Sequence, residues 1–372
     1  MRRAQDLGRI ARRLAPIVAA SAAAVSVAAC GSTTQPAGSG AAGGKDRPYE
    51  IALSNSFLGN TWRQTMVKVF ERTAKEAKAQ GLVSGYKVQN TGQNTATEQI
   101  AQLKSLILQG VDAIVINAAS PNALNPTIKQ ACQKGIVVVV FDSLATEPCA
   151  YKVQDSIADY GYEEGKFVAD TMKGKGNVLM VRGVVGSEPE KVIYDNQRKA
   201  LAQHPGIKIV RSVVGQASNS VTQQAVGNAL PSLPDVRGVI TGGSSLGAVQ
   251  AFQNGGRPLP VVAFDNSGEA LRFWQKQAAK KGYKAVSVRT EPGQAAAAFW
   301  VAMNALQGKK PPRTLNLPNI VIQQKELADW IKVTPNGNVA TWLWSRDQTD
   351  AAIKANAAGD KAAAPSIPTA AP

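Results

Sequence analysis

Histidine occurs once in the 372-residue chain and cysteine three times. So few imidazoles and thiolates leave little from which to build a transition-metal site. Cys132 and Cys149 have neither metal-ligand nor redox spacing. The one histidine, His204, precedes Pro205-Gly206, where a helix end at the surface is expected. The run Gly243-Ser244-Ser245-Leu246-Gly247 fits the G-x-S-x-G nucleophile elbow, but an α/β-hydrolase places its histidine after the serine. His204 lies before Ser245 and no histidine comes after it, so the triad cannot be completed in that order. A G-x-G-x-x-G turn between a strand and a helix is missing, as is a Walker A sequence, which removes the phosphate-cradling signals. The expectation is a protein without catalysis, metal or cofactor.

Acid is also scarce: 26 Asp and Glu stand against 42 Lys and Arg, a net charge of +16. Such a balance raises nucleic acid as a partner, yet the positive residues are scattered along helix faces (Lys68, Arg72, Lys75, Lys78) rather than grouped with aromatics. Five of the arginines lie in the first 13 residues, ahead of a small-residue apolar stretch, 14–29, that is short for a bilayer span. A charged n-region followed by such an h-region reads as a secretion signal. It ends in Val27-Ala28-Ala29-Cys30, which resembles the bacterial lipobox, whose cysteine is lipid-modified and becomes the mature N-terminus. Residues 1–29 are therefore expected to be a lipoprotein signal peptide, and 30–47, rich in Gly, Ser and Ala, a tether of roughly 20 Å reach. An alternative is a weak membrane anchor with an incidental cysteine. Removal of the leader leaves 37 basic and 25 acidic residues, about +12. An extracytoplasmic, lipid-anchored chain does not meet the genome, so nucleic acid is not an expected partner. In that oxidising compartment Cys132 and Cys149 are expected to form one disulfide, worth about 3 kcal/mol for a loop of this length; two free buried thiols are the alternative.

From residue 48 onward apolar strands alternate with amphipathic helices. Residues 49–53, 86–88, 111–116 and 136–141 read as strands, with helices over 61–80 and 95–109 and another ending near Lys134. Gly81 and Gly135 stand where helices should stop. Later strands centre on 177–181, 207–213, 236–240, 260–264 and 285–288. The six-residue run 136–141 is apolar and mostly β-branched, as a parallel strand buried on both faces should be. Repeated strand–helix alternation predicts an α/β fold with right-handed crossovers. Roughly ten strands are too many for one comfortable sheet, so two lobes are expected. Residues 347–372, rich in Ala, Pro, Lys and Asp, are expected to be a disordered tail.

In open parallel sheets ligands lie beyond the carboxyl ends of the strands. The loops there carry Asn55, then Asn60, Thr61, Trp62 and Arg63; Asp142 and Ser143; the stretch from Arg182 to Lys191; Ser244 and its neighbours; Asp265 and Asn266; and Arg289 and Thr290. Each carboxylate or amide can fix one or two hydroxyls of a polyol, while an aromatic ring covers a C–H face. Asp142 and Asp265 each come after an apolar strand, where a charge is otherwise out of place, although each could be a helix N-cap. Trp62 is read as the stacking residue, with a core position as its alternative.

These residues carry a resemblance. The segment from about Pro48 to Gln323 resembles sugar-binding proteins of the ribose-binding type, the receptors of ABC importers. Asn60-Thr61-Trp62-Arg63 is similar to that family's first ligand loop, Gly110-Val111-Asp112-Ala113-Ile114 to its G-x-D strand, and Val138 to Asp142 to its strand-then-Asp loop. Val262-Ala263-Phe264-Asp265 and Pro292-Gly293-Gln294 match two further motifs. The resemblance implies a type I periplasmic binding protein fold: two Rossmann-like lobes with parallel sheets, joined by a three-crossing hinge and closing on one ligand. It assigns residues 48–156 and 290–322 to one lobe and 157–289 and 323–346 to the other. By position Asn60, Trp62, Asp142, Asp265 and Thr290 would touch the ligand. The full expected set adds Asn55, Arg63, Ser143, Lys191, Ser244 and Arg289.

Arg63 replaces a usual aromatic, and Ser143 replaces the arginine next to the aspartate in ribose binders. Ile193 falls where another ligand arginine would sit, with Lys191 nearby. The ligand class is therefore a small sugar, a deoxysugar or a polyol, and the partner an ABC permease docked by a monomeric receptor. Two alternatives remain: a receptor for an autoinducer-2-like signal, or one serving a sensor or chemoreceptor. LacI-type repressors share the two-lobed body but carry an N-terminal DNA-binding domain where this chain has a secretion signal.

Overall fold

The computed structural model describes residues 47–371; the expected signal peptide, Cys30 and most of the tether lie outside them. The first lobe is built on a six-stranded parallel sheet. Its strands are β1 (Tyr49–Asn55), β2 (Val83–Asn90), β3 (Ala113–Asn117), β4 (Val137–Phe141), β5 (Tyr151–Asp155) and the late-arriving β10 (Thr314–Leu317). They lie in the order β10-β5-β4-β3-β1-β2. Side chains alternate across the sheet, because successive Cβ atoms of a strand point to opposite faces. Ile51, Leu53, Val115, Val139 and Phe141 face α1 (Thr61–Ala79) and α9 (Gln294–Leu306). Ala52, Ile114, Ile116, Val138 and Val140 face α2 (Ala96–Leu108) and α3 (Asn125–Gln133). Both faces are apolar because both are covered, which is why these strands read as nearly continuous hydrophobic runs. A disulfide between Cys132 and Cys149 closes the loop from α3 to β5.

The second lobe holds β6 (Lys175–Arg182), β7 (Gly206–Val214) and β8 (Gly238–Thr241), parallel and in the order β7-β6-β8. Its helices are α4 (Ile157–Thr171), α5 (Glu188–Leu201), α6 (Asn219–Ala229), α7 (Ser245–Asn254) and α8 (Gly268–Lys281). The strand expected over 260–264 is an extended segment held by a single parallel bridge, Gly238 to Val261. The strand expected at 285–288 is β9 (Ser287–Arg289). It pairs antiparallel with β11 (Ile320–Ile322) instead of extending a parallel sheet. Both strands are connectors between lobes, and their pairing is set by the chain returning on itself there.

Two expectations are corrected at the C-terminus. Residues 346–357 are a helix, α11 (Arg346–Ala357), rather than disordered tail. A capping box, in which Ser345 and Gln348 satisfy each other's backbone N–H groups, starts it, and alanine favours its interior. Beyond it Ala362 is buried, and Ala371 accepts a hydrogen bond from Arg72 of α1. The hinge also has four crossings, not three. After α10 (Leu327–Val333), which packs on α8, the chain returns to the first lobe, where α11 lies against β10 and α9.

The packing of α4 on α5 brings two polar side chains of the second lobe together in the interior. A Cβ on Gly161 would fall 2.6 Å from the Ile193 carbonyl oxygen, and one on Gly165 2.7 Å from that of Gln197. Two hydrogens in place of side chains let the helix backbones meet, bringing Glu164 of α4 to Gln197 of α5 at 2.7 Å. Gly161→Ala and Gly165→Ala are each expected to destabilise the protein by about 1–3 kcal/mol through overpacking. Gly227→Ala, at an exposed position in α6 with open space around it, should instead gain about 0.5–1 kcal/mol. Denaturant unfolding of the three variants checks this contrast.

Candidate functional site

The carboxyl ends of both sheets face a cavity of about 350 Å³, within the range of small-molecule sites. The first lobe supplies the loop into α1 and the end of β4. Asn60 is the N-cap of α1: its side-chain oxygen accepts the Arg63 N–H at 2.8 Å, which satisfies one of the helix's free amides. That turn places Trp62 and Arg63 in the cavity wall. Trp62 donates from Nε1 to the Thr290 carbonyl at 3.4 Å, and the Arg63 guanidinium lies 5.7 Å from the Trp62 ring centre.

Buried Arg63 is held from behind. It donates to Asn55 Oδ1 at 2.9 Å and lies 3.6 Å from Asp142 Oδ2. Asp142 also accepts from Asn117 Nδ2 at 2.9 Å. Its φ of 55° is the left-handed conformation, which Asp tolerates better than most residues. This turns the carboxylate out of the strand direction and into the cavity wall. Burial pushes the Asp142 carboxyl up, and Arg63, Asn117 and the Ser143 amide pull it back. Burial likewise lowers the Arg63 guanidinium against the pull of Asp142.

The second lobe supplies two further guanidiniums, each already matched by a carboxylate. Arg182, at the end of β6, makes a two-pronged pair with Glu190 at 2.7 and 2.8 Å and sits 4.6 Å from the Tyr194 ring centre. Arg289, at the end of β9, reaches the Tyr160 hydroxyl and Glu164, the latter at 3.3 Å, and lies 4.9 Å from the Tyr160 ring centre. Burial works against the Arg289 charge, but Glu164, Tyr160 and Asp265 overcome it and raise the pKa. Its Nε is buried without a partner. Asp265 also lines the cavity. Both of its oxygens are engaged, Oδ2 by the Ser245 hydroxyl and Leu246 N–H and Oδ1 by the Ser267 N–H and hydroxyl. Ser245, the would-be nucleophile, is thus a buried structural donor, while His204 lies 3.9 Å from Asp170 on the second lobe.

Seven of the expected residues meet in this one cavity: Asn60, Trp62, Arg63, Asp142, Asp265, Arg289 and Thr290. Four do not line it. Asn55 sits behind Arg63, held by Phe57 and Asn90, and acts on the site only through that arginine. Ser143 is buried, with its carbonyl accepting from Ala118. Ser244 is buried and hydrogen-bonded to the Thr222 hydroxyl at 2.6 Å. Lys191 is on the outer face of α5, 77% exposed and paired with Asp195 one turn on. Helix phase explains this last miss: Glu190, Ile193, Tyr194 and Gln197 form the inward stripe, and Lys191 falls outside it. Arg182 and Glu190 lie in the stretch from Arg182 to Lys191 that the sequence placed at the strand ends, although neither was singled out there, and Tyr160 is the main lining residue that sequence reasoning missed. Arg182 ends a strand as Asp142 and Arg289 do, which was the available signal. Tyr160 was hidden because α4 starts a new lobe without a recognisable motif.

A sequence profile of the periplasmic binding protein domain matches residues 51–310. The chain belongs to the periplasmic binding protein family. A solved ABC transporter solute binding protein from Thermobispora bispora DSM 43833 is 44% identical, with a TM-score of 0.83 over 86% of this chain and 99% of that one. The xylitol-binding protein of Mycolicibacterium smegmatis is 31% identical over 189 residues, 50% of this chain and 54% of that protein, so the match spans about half of its length. The ribose import binding protein of Bacillus subtilis is 25% identical over 291 residues, 76% of this chain and 90% of that one.

Beneath the periplasmic-binding-protein cleft the lobe connections bring two more carboxylates into the interior. Asp155 ends β5 at the first crossing and accepts the backbone N–H of Glu291 at the second. Its Oδ1 has no partner, and burial, then the charges of Asp142 and Glu291, raise its pKa well above the usual range. Glu291 is pushed up to about 7 by burial, although Thr341, Trp344 and the Gly293 and Trp342 amides favour its charged form. An acid whose folded pKa is raised keeps its proton to higher pH than in the unfolded chain. The folded state then binds more protons between about 4.5 and about 7, and stability falls as pH rises through that window. Denaturant unfolding from pH 5 to 8 should show this decline. Glu291→Gln should remove up to about 3 kcal/mol of it; an unchanged slope would contradict the assignment.

Proposed function

We propose that this protein is the extracytoplasmic receptor of an ABC importer, capturing a neutral polyhydroxylated molecule, a small sugar or a sugar alcohol, between its two lobes. The observation that carries the ligand class is charge pairing. Each of the three cavity arginines faces a carboxylate of its own, Arg63 with Asp142, Arg182 with Glu190 and Arg289 with Glu164. A phosphorylated or acidic sugar needs an uncommitted guanidinium or ammonium, and none lines the cavity among the described residues. Xylitol and ribose, named for two of the relatives, are both neutral polyols in this sense.

In this reading the Trp62 ring covers a C–H face of the ligand. Asp142, Asn60 and the unpartnered Arg289 Nε take up its hydroxyls. Contacts made from both lobes at once favour the closed arrangement, because a ligand shifts an equilibrium by its differential affinity for the two states. The closed receptor then presents the ligand to a membrane permease. No helix among the described residues is long and apolar enough to cross a membrane, and attachment is assigned to a lipid on Cys30, which lies outside them.

Thermal unfolding of residues 31–372 against paired neutral and anionic ligands tests the reading. Xylitol, ribose, other pentoses and hexoses form one arm, and their phosphates and sugar acids the other. A neutral ligand at a hundredfold excess over Kd stabilises the native state by about 2.7 kcal/mol, a shift of several degrees. Binding confined to the anionic arm would overturn the neutral assignment, and a flat panel would remove simple sugars altogether. Asp142→Ala should weaken the ligand so identified at least about tenfold, measured by calorimetry, since it removes a charged acceptor.

A further inference from the structure

The ligand cavity has one wall that comes from beyond the matched family segment, which ends at residue 310. Val339 lines the cavity, and it lies on the strap 334–345 that makes the fourth crossing. The strap is fastened on both sides. Toward the first lobe, Val339 N–H donates to Thr65 Oγ1 at 3.2 Å, Lys68 donates to Asn338 Oδ1 at 2.6 Å, and Trp344 Nε1 donates to Glu291 at 2.7 Å. Toward the second lobe, Ala340 and Asn266 exchange hydrogen bonds of 2.7 and 2.8 Å, and Gly268 N–H donates to the Asn338 carbonyl.

Two glycines show that the rest of the protein is shaped around this strap. A Cβ on Gly268 would fall 2.4 Å from the Pro335 carbonyl oxygen, and one on Gly293 2.1 Å from that of Trp342. The first of these glycines opens α8 in the second lobe's ligand loop, and the other precedes α9 in the first lobe. Backbone packed this closely from both sides cannot drift, so the Val339 side chain has a fixed place beside Asn266 and Ser267. It is 6% exposed and places a branched apolar side chain in the wall of a cavity lined by polar and apolar groups in comparable measure.

We propose that Val339 is a specificity-determining residue of the ligand site, setting the length of polyol that the closed cavity accepts. The proposal rests on the reading of the cavity as a sugar or polyol site. A rigid apolar wall discriminates by one carbon unit, enough for a measurable but moderate preference. Its dimension depends on the strap and not on the loops that the family shares.

The test is calorimetric titration of xylitol, ribose, sorbitol and allose into wild-type protein, Val339→Ala and Val339→Leu. The ratio of six-carbon to five-carbon affinity should rise at least about threefold in Val339→Ala and fall in Val339→Leu. Val321→Ala, at a 46% exposed position outside the cavity, should leave it unchanged. Ratios equal within twofold across all variants would overturn the proposal. If wild-type protein binds none of the four, the sugar reading fails by itself, and labelling decides the wall. Val339→Cys should react through the cavity with a small neutral thiol reagent at least tenfold faster than Ala340→Cys, whose site is buried and does not line the cavity. Equal rates would overturn Val339 as a wall.

Discussion

Three guanidinium groups held beneath one cleft are the constraint around which the rest is arranged. Removing a charge from water costs several kcal/mol unless a partner of opposite sign and further hydrogen bonds replace the lost hydration. Arg63 and Arg289, both buried, meet that demand in full and by different means, while Arg182, whose side chain is 31% exposed, meets only part of it. Arg63 has Asn55 and Asp142, Arg182 a two-pronged Glu190 and a tyrosine face, and Arg289 a carboxylate from a neighbouring helix. The Arg289 arrangement dictates backbone packing, because Glu164 is itself held by Gln197 across a helix pair that only Gly161 and Gly165 allow to close. The left-handed Asp142 is a local conformational cost of the same kind, offset by Asn117 and Arg63. A site built this way is stiff before the ligand arrives, and its charges act as oriented hydrogen-bond donors and acceptors and not as free ions.

Much of this was legible in the sequence wherever a residue violated its local pattern. Asp142 and Asp265 end apolar strands, Asn60 to Arg63 fill a strand-to-helix turn, and all of them line the cavity. Position at a strand end finds the cavity, but it does not say which atoms remain available. Asp265 was read as a ligand carboxylate on the same terms as Asp142, yet both of its oxygens are engaged, because Ser245 and Ser267, 20 residues before it and two after, both turn back onto it. Lys191 and Ser244 failed for the opposite reason. Lys191 lies one position off the inward stripe of α5, and Ser244, the N-cap of α7, turns its hydroxyl to Thr222 instead of the cavity.

The C-terminus was misread for a physical reason as well. Low hydrophobicity and abundant alanine are shared by disordered tails and by helices that pack one small-residue face. What separates the two here is the Ser345-x-x-Gln348 capping box, a local start signal visible in the sequence, and the tryptophans just before it. Trp342 and Trp344 stand edge to face within the interior, and Trp344 ties its indole N–H to Glu291. The strap is therefore anchored by aromatic burial, which a reading focused on composition beyond Asp347 could not detect.

A hinge made of extended strands carries backbone polar groups into the space between two cores, and those groups need partners that survive rotation of the lobes. Here the partners are side chains. Asp155 and Glu291 accept from the connecting segments, and Thr341 and Trp344 bring the fourth crossing to the same carboxylate. Such long-range bonds to one buried acid let crossings that are far apart in sequence move as a unit. They also tie the ligand cleft to the hinge, since Asp155 feels the charge of Asp142 in the cavity wall. In the proposed reading, a neutral ligand hydrogen-bonded to Asp142 would change the field at this node without adding charge to it. Closure would then be driven by contacts across the cleft, while the buried acids keep the protonation their surroundings impose.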